Sequence, residues 1–420
     1  MGKNRLQTAC YHAFLTPPTG QILPKFQSSR VKTSHSDYPR PPHKGGAPLI
    51  ISSTAQTLLT LTALSGECST DVPALLGVAD SYREKFIRKL KNDNLIKTHS
   101  RDGLKGYRLT PAAKELLRFE DPERFLFFLT GSSDTNRPRS DLPRRLRLQH
   151  ASIVYATLLN AGITIFRDEK PLVFRPDFRD TAILPLPVFY HSREIKELGD
   201  EHTKINNSRI QGILLAPSCI YAVFYTGDSL LKWEYRTELR VKALLNYHAS
   251  RGVLSKGRVE PAYNPDSPIK ALFIGKDMGT ALKLLTSTGG YQKSYFCLDK
   301  SFDYFHYIPA DPAGETLLRV LCSPELMENL KTLLLSDLHP PCMDLPLEHD
   351  AVTEDGLPIL LAFDFDMLRL VHFHTALSFQ ALRGHLICFD FQTDVLRQFF
   401  GADIEIETID LKKFERRFLP

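Results

Sequence analysis

The chain has 420 residues, of which 43% are hydrophobic and 24% charged, a composition typical of soluble globular proteins with two or three domains. No apolar run reaches the roughly 18 residues of a membrane span, and the first residues lack the apolar core of a signal peptide, so we expect a cytoplasmic protein without membrane contact. The seven cysteines are scattered and never spaced as CxxC, which argues against a disulfide framework and a cysteine-rich zinc site.

Composition divides the chain into segments. The predicted segments are a disordered basic arm (1–49), a helical domain (50–129), an arginine-rich linker (130–146), an α/β domain (147–338), a second linker (339–356) and a C-terminal α/β subdomain (357–420). After the first linker, apolar strand-like runs alternate with helical patterns. The predicted fold class is therefore α/β and multi-domain, with some parallel strands.

Residues 54–118 have the pattern of a winged helix-turn-helix. Apolar spacing predicts a first helix around residues 58–64, then two short helices joined by a tight turn at Gly77. Two strands around the turn 101–103 predict a hairpin, the wing. Thr110 and the proline after it are a good start for the helix that closes this domain.

The third helix and the wing of this predicted domain are basic. Residues 79–108 contain nine Lys and Arg residues against four acids, and such a surface attracts the phosphates of double-stranded DNA. The residues predicted to contact DNA are Tyr82, Arg83, Lys85, Arg88, Lys89, Lys91, Lys97, Arg101, Lys105, Arg108, Arg144, Arg145 and Arg147. A winged helix can also be a protein-docking module, but a basic helix beside a basic wing favours DNA. Winged helices often dimerise on two half-sites, so a homodimer remains an open alternative.

Several segments together resemble the replication-relaxation family of plasmid and conjugative-element proteins, over roughly residues 54–290. The matching features are GYRLTPAAKELL at the end of the winged helix, a basic linker, RLQHASIVYATLLNAG (147–162), SRIQGILLAP (208–217), YAVFYTG (221–227) and IKALFIGKDMGTALKLL (269–285). The resemblance implies a role in plasmid replication or in DNA relaxation at a transfer origin. A relaxase or replication initiator is the partner that it implies.

The resemblance also implies that the second domain is restriction-endonuclease-like. Nucleases of that fold hold a divalent metal with acids on two neighbouring strands. This chain has Arg209–Gln211 and Ala222–Tyr225 at those places, so we expect an inactive scaffold with no catalytic residues, no metal and no cofactor. Glu234 and Glu238, the acids nearby, are interpreted as surface residues of a helix.

Two alternatives differ in function from a non-enzymatic DNA-binding protein. One is a transcriptional regulator whose α/β domain senses a ligand or a partner. The other is a metal-dependent nuclease, for which strand residues in AFDFDM, VHFHT and ICFDF would be the ligands: Asp364, Asp366, His372, His374 and Asp390, with His385 close in sequence. The segment 275–280, between a strand and a helix, lacks the spacing of known phosphate-binding loops and is interpreted as a plain turn.

Overall fold

The computed structural model describes residues 52–130, 141–174, 186–198, 208–217, 219–250, 263, 266–292, 294–342 and 344–419. The predicted basic arm (1–49) and most of the predicted linker (131–140) lie outside the described residues. All thirteen residues predicted to contact DNA lie within them.

Residues 52–130, here called the N-terminal unit, combine helices with a three-stranded antiparallel sheet. Its elements are α1 (Ser53–Ser65), β1 (Cys68–Ser69), α2 (Val72–Leu75), α3 (Asp80–Asn92), β2 (Ile96–Arg101), β3 (Leu104–Leu109), α4 (Pro111–Glu120) and α5 (Pro122–Leu129). The strand order is β1-β3-β2. Three helices followed by a hairpin and a closing helix is the order that the sequence predicts, and the short β1 is an addition to it.

Turn and capping residues fix this unit locally. Gly77 lies between α2 and α3 at a φ of +77°, which glycine adopts without steric strain. The hairpin turn has Asp102 and Gly103 at φ values of +52° and +75°, as in the type I′ turns that suit the twist of a hairpin. The side chain of Thr110 accepts a hydrogen bond from the N–H of Ala113, which confirms the predicted start of α4.

A long helix, α6 (Leu142–Asn160), follows the N-terminal unit. It begins at Leu142, inside the segment predicted as a linker (130–146), because the side chain of Asp141 caps it and Pro143 is tolerated in a first helical turn. The last residues of the predicted linker are therefore helical.

A five-stranded mixed sheet has the order β4-β5-β6-β7-β8. Its elements, with their helices, are β4 (Val188–His191), α7 (Ser192–Ile195), β5 (Gly212–Ala216), β6 (Cys219–Gly227), α8 (Tyr235–Ser250), β7 (Ile269–Gly275), α9 (Met278–Leu285), β8 (Phe305–Pro309), α10 (Pro312–Leu321) and α11 (Pro324–Leu335). Strands β4, β5 and β6 pair antiparallel, whereas β6, β7 and β8 pair parallel. The strands are buried along almost their whole length, as expected for a sheet covered on both faces.

A second α/β sheet, of four strands, has the order β12-β11-β10-β9. Its elements are β9 (Ala351–Val352), β10 (Pro358–Leu361), α12 (Met367–Gln380), β11 (Gly384–Phe389), α13 (Thr393–Phe400), β12 (Ile404–Ile409) and α14 (Leu411–Phe418). Strands β10, β11 and β12 are parallel, and β9 joins the edge antiparallel. Over the residues that the structure describes, the protein is thus mixed α/β with three sheets, in agreement with the predicted fold class at that level.

The long helix α6 connects the N-terminal unit with the five-stranded sheet. It packs against α1, α2 and β1 of the N-terminal unit and also against β6 and α10. Hydrogen bonds support both contacts: the Ser152 hydroxyl accepts from the N–H of Ser69, and the Asn160 side chain donates to the carbonyl of Leu75 and to Glu315. Among the helices that the structure describes, none has both the length and the apolar character needed to cross a membrane.

Candidate nucleic-acid interface

The outward face of α3 is a cluster of exposed cations. The opposite side of this helix is apolar and buried, through Phe86, Ile87 and Leu90. Burial of that side fixes which residues face solvent. The exposed residues of α3 that were predicted to contact DNA are Tyr82, Lys85, Arg88, Lys89 and Lys91.

Both arginines of α3 lie in exposed ion pairs. Arg83, which is half-buried, pairs with Asp80, and Arg88 Nη2 lies 2.6 Å from Glu84 Oε1. Exposed pairs of this kind stabilise a protein by at most about 1 kcal/mol. A phosphate group can therefore compete for the Arg88 guanidinium at little cost in free energy.

The hairpin and the start of α6 add further exposed cations. Lys97, Arg101 and Lys105 are exposed on the hairpin, and Arg101 lies 3.4 Å from Asp102. Arg144 and Arg147 are exposed on the first turns of α6, which contacts the hairpin. The cations of the hairpin and of α6 thus belong to one part of the surface.

Arg108 and Arg145 are not on that surface, so their predicted contact with DNA is wrong. Their exposed fractions are 4% and 0%, because both guanidinium groups surround the buried carboxylate of Glu67. Arg108 Nη2 lies 2.6 Å from Glu67 Oε2, and Arg145 Nη2 lies 2.7 Å from Glu67 Oε1. The side chain of Gln149 donates a third contact to the same carboxylate, at 2.8 Å. We call these four residues the Glu67 cluster.

The Glu67 cluster joins α6 to the hairpin. Arg145 also donates to the backbone carbonyls of Arg101, His99 and Leu104, at 3.0, 3.1 and 2.9 Å. The cluster fits tightly against β3, since a Cβ added at Gly106 would lie 2.5 Å from the Gln149 side chain. The hairpin is therefore held in one position relative to α6.

The charge of the Glu67 cluster is set by its hydrogen bonds. Burial by itself raises the pKa of Glu67, but the donors on Arg145, Gln149 and Arg108 outweigh burial and lower the pKa below its usual value of 4.5. Glu67 is therefore ionised at neutral pH, and it partly neutralises the two buried guanidinium groups. Sequence reasoning missed this acid; the signal available was that Glu67 is the one charged residue between positions 53 and 70.

A scan of protein-family models, a search of curated proteins and a search of solved structures each found no match to this chain.

Four residues of the alternative metal site do not lie on strands as the sequence predicts, whereas His385 lies in β11 and Asp390 directly follows that strand. Asp364 and Asp366 lie in the turn between β10 and α12 instead of on a strand, and Asp366 caps α12 by accepting from the N–H of Leu368. His372 and His374 lie within α12, where residues two apart point in different directions. Among the described residues, no group of three His, Cys, Asp or Glu side chains is placed to hold a metal ion.

The interpretation of Glu238 as a surface residue is also wrong, whereas Glu234 is exposed. Glu238 is 1% exposed and accepts a hydrogen bond from the Ser208 hydroxyl at 3.1 Å. Burial, reinforced by the charges of Asp299 and Glu234, raises the pKa of Glu238 to about 7. Glu238 shares the buried side of α8 with Val241 and Leu245, which follow it at helical spacing.

The segment 275–280 is a βα turn whose polar groups are used within the protein. Asp277 caps α9 by accepting from the N–H of Thr280 at 3.1 Å. A Cβ at Gly275 would overlap the Tyr307 side chain, which donates to the carbonyl of Asp277. The carboxylate of Asp277 therefore occupies the position that a phosphate would take at this helix start.

Proposed function

We propose that the N-terminal unit is a winged helix-turn-helix that binds double-stranded DNA, with α3 in the major groove. The observation that carries the proposal is the outward face of α3, which has Lys85, Arg88, Lys89 and Lys91 exposed around one short helix. Lys and Arg side chains on such a helix can contact guanine edges and phosphates.

The arrangement of α2 and α3 supports a helix-turn-helix. The two helices pack against each other across a short turn that contains Gly77. The apolar side of α3 packs into the core of the unit, so its basic side is free to enter a groove.

The hairpin supports the interpretation as a wing. Lys97, Arg101 and Lys105 give it three exposed cations, and the Glu67 cluster holds it against α6. A hairpin that is fixed before binding loses little conformational entropy on contact with a phosphate backbone. Arg144 and Arg147 extend the same surface along α6.

The sequence and topology of the α/β part support a role in holding DNA rather than cutting it. Strands β5 and β6, of sequence GILLA and CIYAVFYTG, carry no Asp or Glu. If the five-stranded sheet is a restriction-endonuclease-like domain, it lacks the acids with which such domains bind metal. We propose a non-catalytic accessory factor of a mobile element, acting with a relaxase or replication initiator; the mobile-element setting rests on the family resemblance alone.

The test is an electrophoretic mobility shift with a pool of random duplexes. We expect Arg88→Ala combined with Lys89→Ala to weaken duplex binding by about tenfold or more, because each residue contributes a groove or phosphate contact. A matched control, Arg383→Ala with Lys412→Ala, removes the same charge elsewhere. Both residues are exposed in the part of the chain that forms the four-stranded sheet. Equal affinity of the Arg88 and Lys89 double variant and the control would rule out α3 as the recognition helix.

A further inference from the structure

A second cationic surface lies on the five-stranded sheet unit, on elements separate from α3 and the hairpin. It combines exposed cations with exposed tyrosines. Its members are Lys232, Tyr235, Arg236, Arg240, Tyr291 and Tyr295, here called the tyrosine–arginine surface.

Backbone pairing brings the two parts of this surface together. Lys232 and Tyr295 are partners in an antiparallel bridge. On either side of it, the N–H of Trp233 donates to the carbonyl of Ser294 at 3.1 Å, and the N–H of Phe296 donates to the carbonyl of Leu231 at 2.9 Å. The segment before α8 and the segment with both tyrosines are thus neighbours.

The helix α8 places two arginines on its solvent side. Arg236 and Arg240 are four residues apart and both exposed, so they lie one above the other on one face. Val241 and Leu245 on the opposite side are fully buried. Packing of that side fixes the outward direction of the arginines.

Two of the acids near this surface are engaged elsewhere, and a third is exposed. Glu238 is buried beneath it and accepts from Ser208. Asp299 accepts from the indole N–H of Trp233 at 2.7 Å, and Glu234, which is exposed, accepts from Thr237 at 2.8 Å.

Within the described residues, no ion pair holds Lys232, Arg236 or Arg240. Lys242, on the flank of the same helix, is by contrast engaged by Asp303 at 2.5 Å. Three unpaired cations beside one exposed acid suit a polyanionic ligand.

The tyrosines are exposed well beyond the usual level for aromatic side chains. Tyr235 and Tyr295 are 45% and 44% exposed, and Tyr291 is fully exposed at 105%. Gly290, at a φ of +71°, lets the chain turn beside Tyr295, where a Cβ would lie 3.3 Å from the ring. Exposed aromatic rings interleaved with cations are the arrangement on which unpaired bases stack while the cations contact phosphates.

We propose that the tyrosine–arginine surface binds single-stranded nucleic acid. The bases stack on the tyrosines, and Lys232, Arg236 and Arg240 contact the backbone. A duplex would not use the tyrosine rings in this way, because its bases are already stacked on one another. The inference does not depend on the function proposed for α3, which lies on a different element.

The test measures fluorescence anisotropy of the full chain with three labelled probes: an oligothymidylate of about twenty nucleotides, an oligouridylate of the same length and a duplex of mixed sequence. We expect Arg236→Ala with Arg240→Ala to weaken oligothymidylate binding at least tenfold while duplex affinity changes less than twofold. The Arg88 and Lys89 double variant should show the opposite pattern. Comparison of the DNA and RNA single strands shows whether the 2′-hydroxyl matters.

Two tyrosine variants test how much base stacking contributes to single-strand binding. Tyr291→Ala with Tyr295→Ala should weaken single-strand binding at least fivefold, whereas Tyr291→Phe with Tyr295→Phe keeps both rings and should retain it. The control variant with Arg383→Ala and Lys412→Ala should bind all probes as the unchanged chain does. The proposal is overturned if the unchanged chain does not bind the single strands, if the arginine variant binds them like the control, or if Phe is as damaging as Ala.

Discussion

At the scale of single residues, the surroundings of an arginine decide what it does. Arg88 and Arg145 are chemically identical, yet one is solvent-exposed and the other is enclosed by Glu67 and three backbone carbonyls. The sequence identified the exposed cations of α3 from the helical period. It could not identify the partner of Arg145, because Glu67 lies 78 residues away along the chain.

Removal of the buried carboxylate should cost far more stability than removal of an exposed one. Glu67→Ala leaves two guanidinium groups buried without a counter-charge, so we expect a loss of about 3–5 kcal/mol in the free energy of unfolding. Glu84→Ala, which removes the exposed partner of Arg88, is the matched control and should cost at most about 1 kcal/mol. Urea denaturation measures both. Similar losses in the two variants would show that the buried Glu67 cluster stabilises the fold no more than an exposed ion pair does.

His150 on α6 gives the free energy of unfolding a dependence on pH. Its ring packs against Tyr225, with centroids 4.7 Å apart. Burial lowers the pKa of His150 to about 4, although the negative charge of Asp228 partly offsets this effect. Because the folded pKa lies below the ordinary value of 6.5, the neutral ring stabilises the fold above pH 6.5. That contribution is lost as the pH falls from 6.5 toward 4.

The measurement compares unfolding free energies of the unchanged chain and His150→Phe across this range. Phe cannot be protonated, so the unchanged chain should lose more stability than the variant between pH 6.5 and 4. Other groups titrate equally in both proteins and cancel in the difference. Parallel pH curves would contradict a buried neutral histidine.

At the scale of elements, the sequence predicted helices, strands and turns correctly where a single pattern of apolar or turn residues was present. The helix start at Thr110 and the hairpin turn at Asp102 and Gly103 lie where the sequence places them. The segment VHFHT is helical, although the metal-site alternative needs it to be a strand: Asp366 caps α12, and the helix continues through the histidines. Strand β8 and helices α10 and α11 were not predicted.

The start of α6 depends on the capping side chain of Asp141. Its first six residues include three arginines and a proline, which resembles a linker in composition, and only the Asp141 cap reveals a helix. Asp141→Ala should lower the free energy of unfolding by about 1 kcal/mol, whereas Asp141→Asn keeps a capping side chain and should be nearly neutral. Thermal unfolding of the two variants distinguishes them. If both variants melt alike, Asp141 does not hold this helix start.

At the scale of the whole molecule, α6 connects the proposed DNA-binding unit to the five-stranded sheet. One part of this helix is fixed to the hairpin by Arg145 and Gln149, and its other end packs beside α10 through Asn160. The proposed DNA-binding unit and the five-stranded sheet therefore share one rigid element. The sequence predicted the two parts and their order, but the contact between them depends on tertiary packing that no local pattern encodes.

The most direct test of duplex binding by α3 is the dependence of affinity on salt. A plot of log Kobs against log salt concentration has a slope of about −0.9 for each phosphate that the protein neutralises. We predict a clear negative slope for the unchanged chain, and a slope shallower by roughly 2 when Arg88 and Lys89 are both changed to alanine. The same slope in both proteins, or no duplex binding at low salt, would contradict duplex binding through α3.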